Sequence, residues 1–124
     1  GGEGCYECYA SAKALIEAVN KANSTNLDAF QIFEKENFDK PEVRSVIDKW
    51  IDEMIIGLIN IIYIFNPPLI VLGGGIMNED YVIDLIDRKI YNLLMDNFKN
   101  VNIVRSKLKS DSALLGVAYE AAKL

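Results

Sequence analysis

The sequence predicts an α/β fold in which helices pack on a small, incomplete and largely parallel sheet. Three observations carry that prediction. Apolar residues recur at helical spacing through most of the first half of the chain. Leu69-Ile70-Val71-Leu72 is an unbroken apolar run, the pattern of a strand covered on both faces of a parallel sheet. That run ends in Gly73-Gly74-Gly75 ahead of another helical pattern, the strand–turn–helix order of a parallel crossover.

Taken in order, residues 5–22 read as a first helix with Ala12, Leu15, Ile16 and Val19 on one side. Asn23-Ser24-Thr25-Asn26 is a polar break that can cap a short helix over residues 27–36, with Phe30 and Phe33 sharing a side. Asp39 and Glu42 have capping-box spacing, and Pro41 falls in the first turn, where its missing N–H costs nothing. From Val43 through Val46, Ile47, Trp50, Ile51, Met54, Ile55, Leu58 and Ile59 to Ile62 an i, i+3, i+4 stripe marks a long helix. Its C-terminal half is apolar nearly all round and is therefore expected to be deeply buried. Asn66-Pro67-Pro68 ends it.

Beyond the glycines, Asn78 is the expected cap of the next helix, and Glu79 and Asp80 suit its positive N-terminal dipole. Val82, Leu85, Ile86, Ile90, Leu93 and Leu94 give that helix an apolar face. Residues 101–105 read as a second strand, and residues 111–122 as a closing helix around Leu114, Leu115, Val117 and Ala118, capped or preceded by Asp111. The chain thus divides into a helical stretch, residues 1–65, and a strand–helix–strand–helix stretch, residues 66–124. No repeat or low-complexity segment appears. Two strands make a poor sheet, so the missing neighbours are expected from an absent part of the same polypeptide or from a partner. The chain also starts without methionine, and it is read as a fragment.

At 124 residues the chain is expected to form one compact unit, and 51% hydrophobic with 25% charged residues excludes a disordered tail or a collagen-like rod. A net charge of −5 is poorly suited to neutralising a phosphate backbone, so no direct nucleic-acid contact is expected. The absence of histidine removes His-based nucleophile triads and any His-bearing metal site made by these residues alone. Residues 54–78 carry no charge, yet Asn60, Asn66, Pro67 and Pro68 interrupt them, and the clean apolar part is too short for a membrane span. No secretory signal is visible, and two cysteines without one suit a reducing cytoplasm.

The glycine triplet stands where ligands approach the carboxyl ends of parallel strands, and bare backbone lets them come close. It is neither a G-x-G-x-x-G fingerprint nor a Walker loop, since Asn78 takes the third glycine's place and no G-K-[ST] follows. A simple tight turn is the alternative. Cys5 and Cys8 form C-x-x-C, which fits a redox pair, half a zinc site or chance; zinc wants four ligands and only these two are present. Glu7 beside them reads by default as a dipole-stabilising surface residue. Asp48, Asp52 and Glu53 read as a solvated helix face, Trp50 as core, and Lys35, Lys40, Arg105, Lys107 and Lys109 as scattered or edge charges.

Three segments, in order, resemble the C-terminal part of the ROK family of repressors, open reading frames and sugar kinases. Gly1-Gly2-Glu3-Gly4-Cys5-Tyr6-Glu7 is similar to the tail of its C-x-C-G-x-x-G-C-x-E zinc motif. Asn66-Pro67-Pro68-Leu69-Ile70-Val71-Leu72-Gly73-Gly74-Gly75 is similar to its N-P-x-x-I-V-x-G-G-G segment, and Ser112-Ala113-Leu114-Leu115-Gly116-Val117-Ala118 to its closing helix. The resemblance implies part of an actin-like ATPase lobe, also called ribonuclease-H-like. It implies an ATP-dependent sugar kinase that uses Mg²⁺ and phosphorylates a hexose or amino sugar. The alternative is the sugar-sensing lobe of a transcriptional repressor. It further implies that Cys5 is the last of three zinc thiolates, that Glu7 hydrogen-bonds sugar hydroxyls, and that Gly73, Gly74 and Gly75 border the adenosine site. The family's catalytic aspartate and phosphate loop match nothing in these residues, so no catalytic residue is assigned here and this chain alone is expected not to turn over. A homodimer is also implied.

Overall fold

The computed structural model describes residues 7–106. They fall into two compact units, Gly1–Ile61 and Ile62–Leu124, with the division inside the long helix. The closing helix expected over residues 111–122, with Asp111, Lys107 and Lys109, lies outside the described residues, as does Cys5.

The first unit is helical: α1 (Glu7–Ala10), α2 (Ala12–Asn23), α3 (Ala29–Phe33), α4 (Lys35–Phe38) and most of α5 (Pro41–Phe65). The helix expected over residues 5–22 is two helices. Ser11 takes extended backbone (ψ 161°) between them, and its Oγ accepts from the Ala14 N–H at 3.1 Å, an N-cap where the periodicity suggests helix interior. At the other end of α2, Ser24 turns left-handed at φ 54°. The Asn20 carboxamide then ties the connecting segment down. Its oxygen accepts from the Leu27 N–H (2.8 Å) and the Thr25 hydroxyl (2.9 Å), and its nitrogen donates to the Leu27 carbonyl (2.9 Å).

The cap of α3 is Asp28 and not the preceding polar run. Asp28 Oδ1 accepts from the Gln31 N–H at 2.8 Å while Gln31 Oε1 accepts from the Asp28 N–H at 2.9 Å, a reciprocal capping box. Phe30 and Phe33, expected to share a side of this helix, do not form its buried face: Phe30 is 83% exposed and Ile32 is the buried residue. Phe33 instead stacks on Phe38 with ring centroids 6.0 Å apart. Asp39 makes no capping box with Glu42. Its carboxylate faces Arg44 at 3.5 Å, and that guanidinium lies 4.3 Å from the Phe38 ring centre.

Pro41 opens α5, and Val43, Ile47, Trp50, Ile51, Met54 and Ile55 bury its inner stripe with Leu15, Val19 and Ile32. Each such side chain contributes about 1.5–3 kcal/mol of apolar burial. Trp50, assigned to the core from its register, donates its indole N–H to the Ser11 carbonyl at 2.9 Å. The C-terminal half of α5 is less buried than its composition suggests. Leu58 and Ile62 are inside, but Ile56 is 54% and Ile64 and Phe65 are each 73% exposed.

The second unit begins within α5, where Tyr63 packs edge-on against Phe98 at 4.8 Å and its hydroxyl accepts from the Met95 N–H. Asn66 caps the helix in the left-handed region (φ 44°) ahead of the two prolines. The chain then forms β1 (Leu69–Leu72), a 3₁₀ turn (Gly75–Asn78), α6 (Asp80–Leu93), a second 3₁₀ turn (Asp96–Phe98) and β2 (Asn102–Arg105). The strands are parallel, pairing Leu69 with Asn102, Ile70 with Ile103, Val71 with Val104 and Leu72 with Arg105. A helix must carry the chain back between such strands, and α6 does so. Val82, Leu85, Ile86, Ile90 and Leu94 are its buried side, while Leu93, expected among them, is 60% exposed.

Two further expectations change here. Glu79, not Asn78, occupies the N-cap position of α6, and it makes no side-chain cap bond. Nor is β1 covered on both faces. Leu69 and Val71 are about half exposed, alternating with the more covered Ile70 and Leu72. Period-2 alternation puts Leu69, Val71 and the exposed Val104 on one face of the ladder.

Candidate functional site

Parallel strands that end flush leave one edge where loops gather, and here the ladder ends at Leu72 and Arg105. Gly73-Gly74-Gly75 leaves β1 at that edge. Gly74 has φ 112°, a backbone conformation that L side chains rarely adopt, so glycine is required there. Its carbonyl accepts from the Met77 N–H at 3.1 Å, and the Ile76 carbonyl accepts from the Glu79 N–H at 3.0 Å, closing the turn. Ile76 and Met77 are buried and anchor it to the core.

Outside, the turn is open. A Cβ added at Gly74 or Gly75 would meet nothing within 4 Å. Gly74 and Gly75 therefore lack side chains not for the sake of internal packing, since no neighbouring atom crowds them. They present bare backbone to open space at the carboxyl edge of the sheet.

Charges frame the turn. Arg105, the last residue of β2, donates from one Nη to the Asn78 carbonyl at 3.0 Å and to Asp80 Oδ1 at 2.7 Å. Asp80 opens α6, where a carboxylate also meets the helix dipole favourably. The neighbouring Glu79 carboxyl is held above its ordinary range, first by partial burial and then by the negative charge of Asp80. Arg105 was expected to be a scattered edge charge. Its place emerges only from the strand register, which brings the end of β2 level with the end of β1.

The other predicted site residue with a described backbone, Glu7, opens α1 in the first unit, in the first-turn position expected for it. Two surface grooves also lie in that unit. One, of about 420 Å³, runs along the start of α5 past Arg44, Asp48 and Asp52; the other, of about 500 Å³, is walled by Tyr9, Ala14, Ala18 and Trp50. Neither includes the glycines. Among the described residues no group of three or more His, Cys, Asp or Glu side chains could hold a metal ion. Cys5 and Cys8 are the only thiols and there is no histidine, so a four-coordinate zinc held by thiolates and imidazoles alone would need donors from outside these residues. Among the described residues no helix is long and apolar enough to cross a membrane.

Comparison with known proteins adds to this geometry. The ROK family model matches residues 1–123. The chain is 27% identical to a glucokinase of Thermotoga maritima, over 95% of the chain and 42% of the relative. It is 21% identical to an N-acetyl-D-glucosamine kinase of Yersinia enterocolitica, over 96% of the chain and 39% of the relative. In fold it superimposes with a TM-score of 0.79 on a ROK family glucokinase from Streptomyces griseus, solved with glucose and AMPPNP. That match has 23% identity and covers all of this chain and 46% of the other. The helices and small parallel sheet are thus part of an actin-like ATPase fold, and the chain spans about two-fifths of the curated relatives it matches.

Proposed function

Because this chain belongs to the ROK family, we propose that it supplies the C-terminal part of an ATP-dependent sugar kinase. The reaction transfers the γ-phosphoryl group of ATP to a hydroxyl of a hexose or amino sugar. The bond from γ-phosphorus to ADP breaks, a bond to the sugar oxygen forms, and the hydroxyl proton passes to a carboxylate outside these residues. Such chemistry is mostly positioning and charge neutralisation, with Mg²⁺ on the phosphates. The observation that carries the reading is the open glycine turn at the carboxyl edge of the sheet, where a nucleoside can lie against bare backbone.

In this reading Gly73, Gly74 and Gly75 border the adenosine. Glu7 accepts hydrogen bonds from sugar hydroxyls, and Cys5 contributes one thiolate to a zinc site completed elsewhere. The relatives named as glucokinase and N-acetylglucosamine kinase support the sugar class.

The test is ADP release by the polypeptide that carries this chain, with glucose and with N-acetylglucosamine as acceptors. Gly75→Val fills space that is open in the fold, so it should raise KM for ATP about tenfold or more with little loss of stability. Glu7→Ala should raise KM for the sugar by about 10- to 100-fold, the scale of a lost hydrogen bond to a charged group. Saturable sugar binding without ADP release would overturn the kinase reading in favour of a sugar-sensing repressor lobe.

A further inference from the structure

The end of β2 holds the glycine turn at both of its margins. At the near margin the Ser106 N–H donates to the Leu72 carbonyl at 2.8 Å, extending the ladder one step past the last paired residues. At the far margin the Arg105 guanidinium spans the Asn78 carbonyl, which ends the 3₁₀ turn, and the Asp80 carboxylate, which begins α6. Residues 73–77 are thus a short arch with both feet fixed by consecutive residues, Arg105 at the end of β2 and Ser106 just after it.

We propose that Arg105 is a positioning residue for nucleotide affinity, acting through the glycine turn; the inference rests on the kinase reading above. Two physical points separate this role from ordinary stabilisation. The Asp80 side chain is 83% exposed and that of Arg105 38%, and an ion pair so open to water adds little to global stability. The same guanidinium, however, sets where the Asn78 carbonyl and the start of α6 stand relative to Leu72, and so the curvature of the arch between them. It also neutralises Asp80. Without it, two neighbouring carboxylates, Glu79 and Asp80, would face any anionic phosphate brought to this edge.

The experiment compares Arg105→Ala, Arg105→Lys and the unaltered polypeptide by three readouts: KM for ATP, KM for the sugar, and hydrogen exchange of the amides of residues 74–79. Arg105→Ala is expected to speed exchange in the turn and to raise KM for ATP about tenfold, the loss of one charge-assisted bond pair. KM for the sugar should stay within about twofold and the melting temperature within a few degrees. Arg105→Lys, which keeps the charge but not the planar guanidinium, should recover part of the ATP affinity. Unchanged exchange in Arg105→Ala would overturn the clasp. Faster exchange with unchanged KM for ATP would overturn its role in nucleotide affinity while leaving the kinase reading intact. An unaltered polypeptide that neither binds ATP nor releases ADP would overturn both.

Discussion

The two units solve the burial problem differently. In Gly1–Ile61 the apolar stripes of α2, α3 and α5 close on one another. Leu15, Val19, Ile32, Ile47 and Ile51 have no measurable exposure, and their polar neighbours Asn20, Asn37 and Trp50 each find a backbone partner. In Ile62–Leu124 the described core lies under one side of a two-stranded ladder, while Leu69, Val71 and Val104 on its other side stay between 43% and 53% exposed. Helices satisfy their backbone groups internally and need only cover a stripe, whereas a strand needs neighbours at its edges and cover on its faces. The open glycine turn belongs to the unit with surplus surface. In that unit the chain offers apolar area and bare backbone together.

The comparison breaks most readily at its strongest contrast. Ile51→Ala, in the closed core, should cost about 2–5 kcal/mol in urea unfolding, whereas Val71→Ala on the open ladder should cost under about 1 kcal/mol. Equal costs would mean that the ladder is as enclosed as the helical core. A smaller effect tests the polar lining. Trp50→Phe keeps most of the apolar area but removes one of two donors to the Ser11 carbonyl, which keeps the Leu15 N–H at 3.1 Å, and should cost about 0.5–1.5 kcal/mol. The smallest effect lies at the turn. The Glu79 carboxyl, raised by burial and by Asp80, favours the folded state only while it is protonated. That contribution is complete below the ordinary carboxylate pKa and is lost as pH rises through the raised one. Glu79→Gln should therefore lift the neutral-pH melting temperature by at most about 2 °C, with the gap closing in acid; a gap that widens in acid would reverse the sign of the shift.

Much of this architecture was legible because periodicity is a local signal. The stripe from Val43 to Ile62 marked α5, the prolines after Asn66 marked its end, and the apolar run over Leu69–Leu72 matched β1 residue for residue. What stayed hidden depends on distant partners or on a choice between local competitors. Ser11 looks like any small residue within a helical pattern until its hydroxyl turns back to the Ala14 N–H. Asp28 outcompeted a run of four polar residues for the cap of α3 because Gln31 could reciprocate. Exposure of Val71 could not be inferred from a strand whose composition suits full burial. Of the site, the glycine turn was visible as a motif, whereas Arg105 was not, since only parallel register brings it level with Leu72.

Ser11 has a consequence that reaches back to the start of the chain. Its carbonyl, held by an indole thirty-nine positions later, serves as a survey mark from which the single turn of α1, with Glu7 at its head, is measured. A tryptophan sealed inside the protein thereby fixes the backbone on which α1 ends, and wear at the mark would be read as drift in the short helix before it.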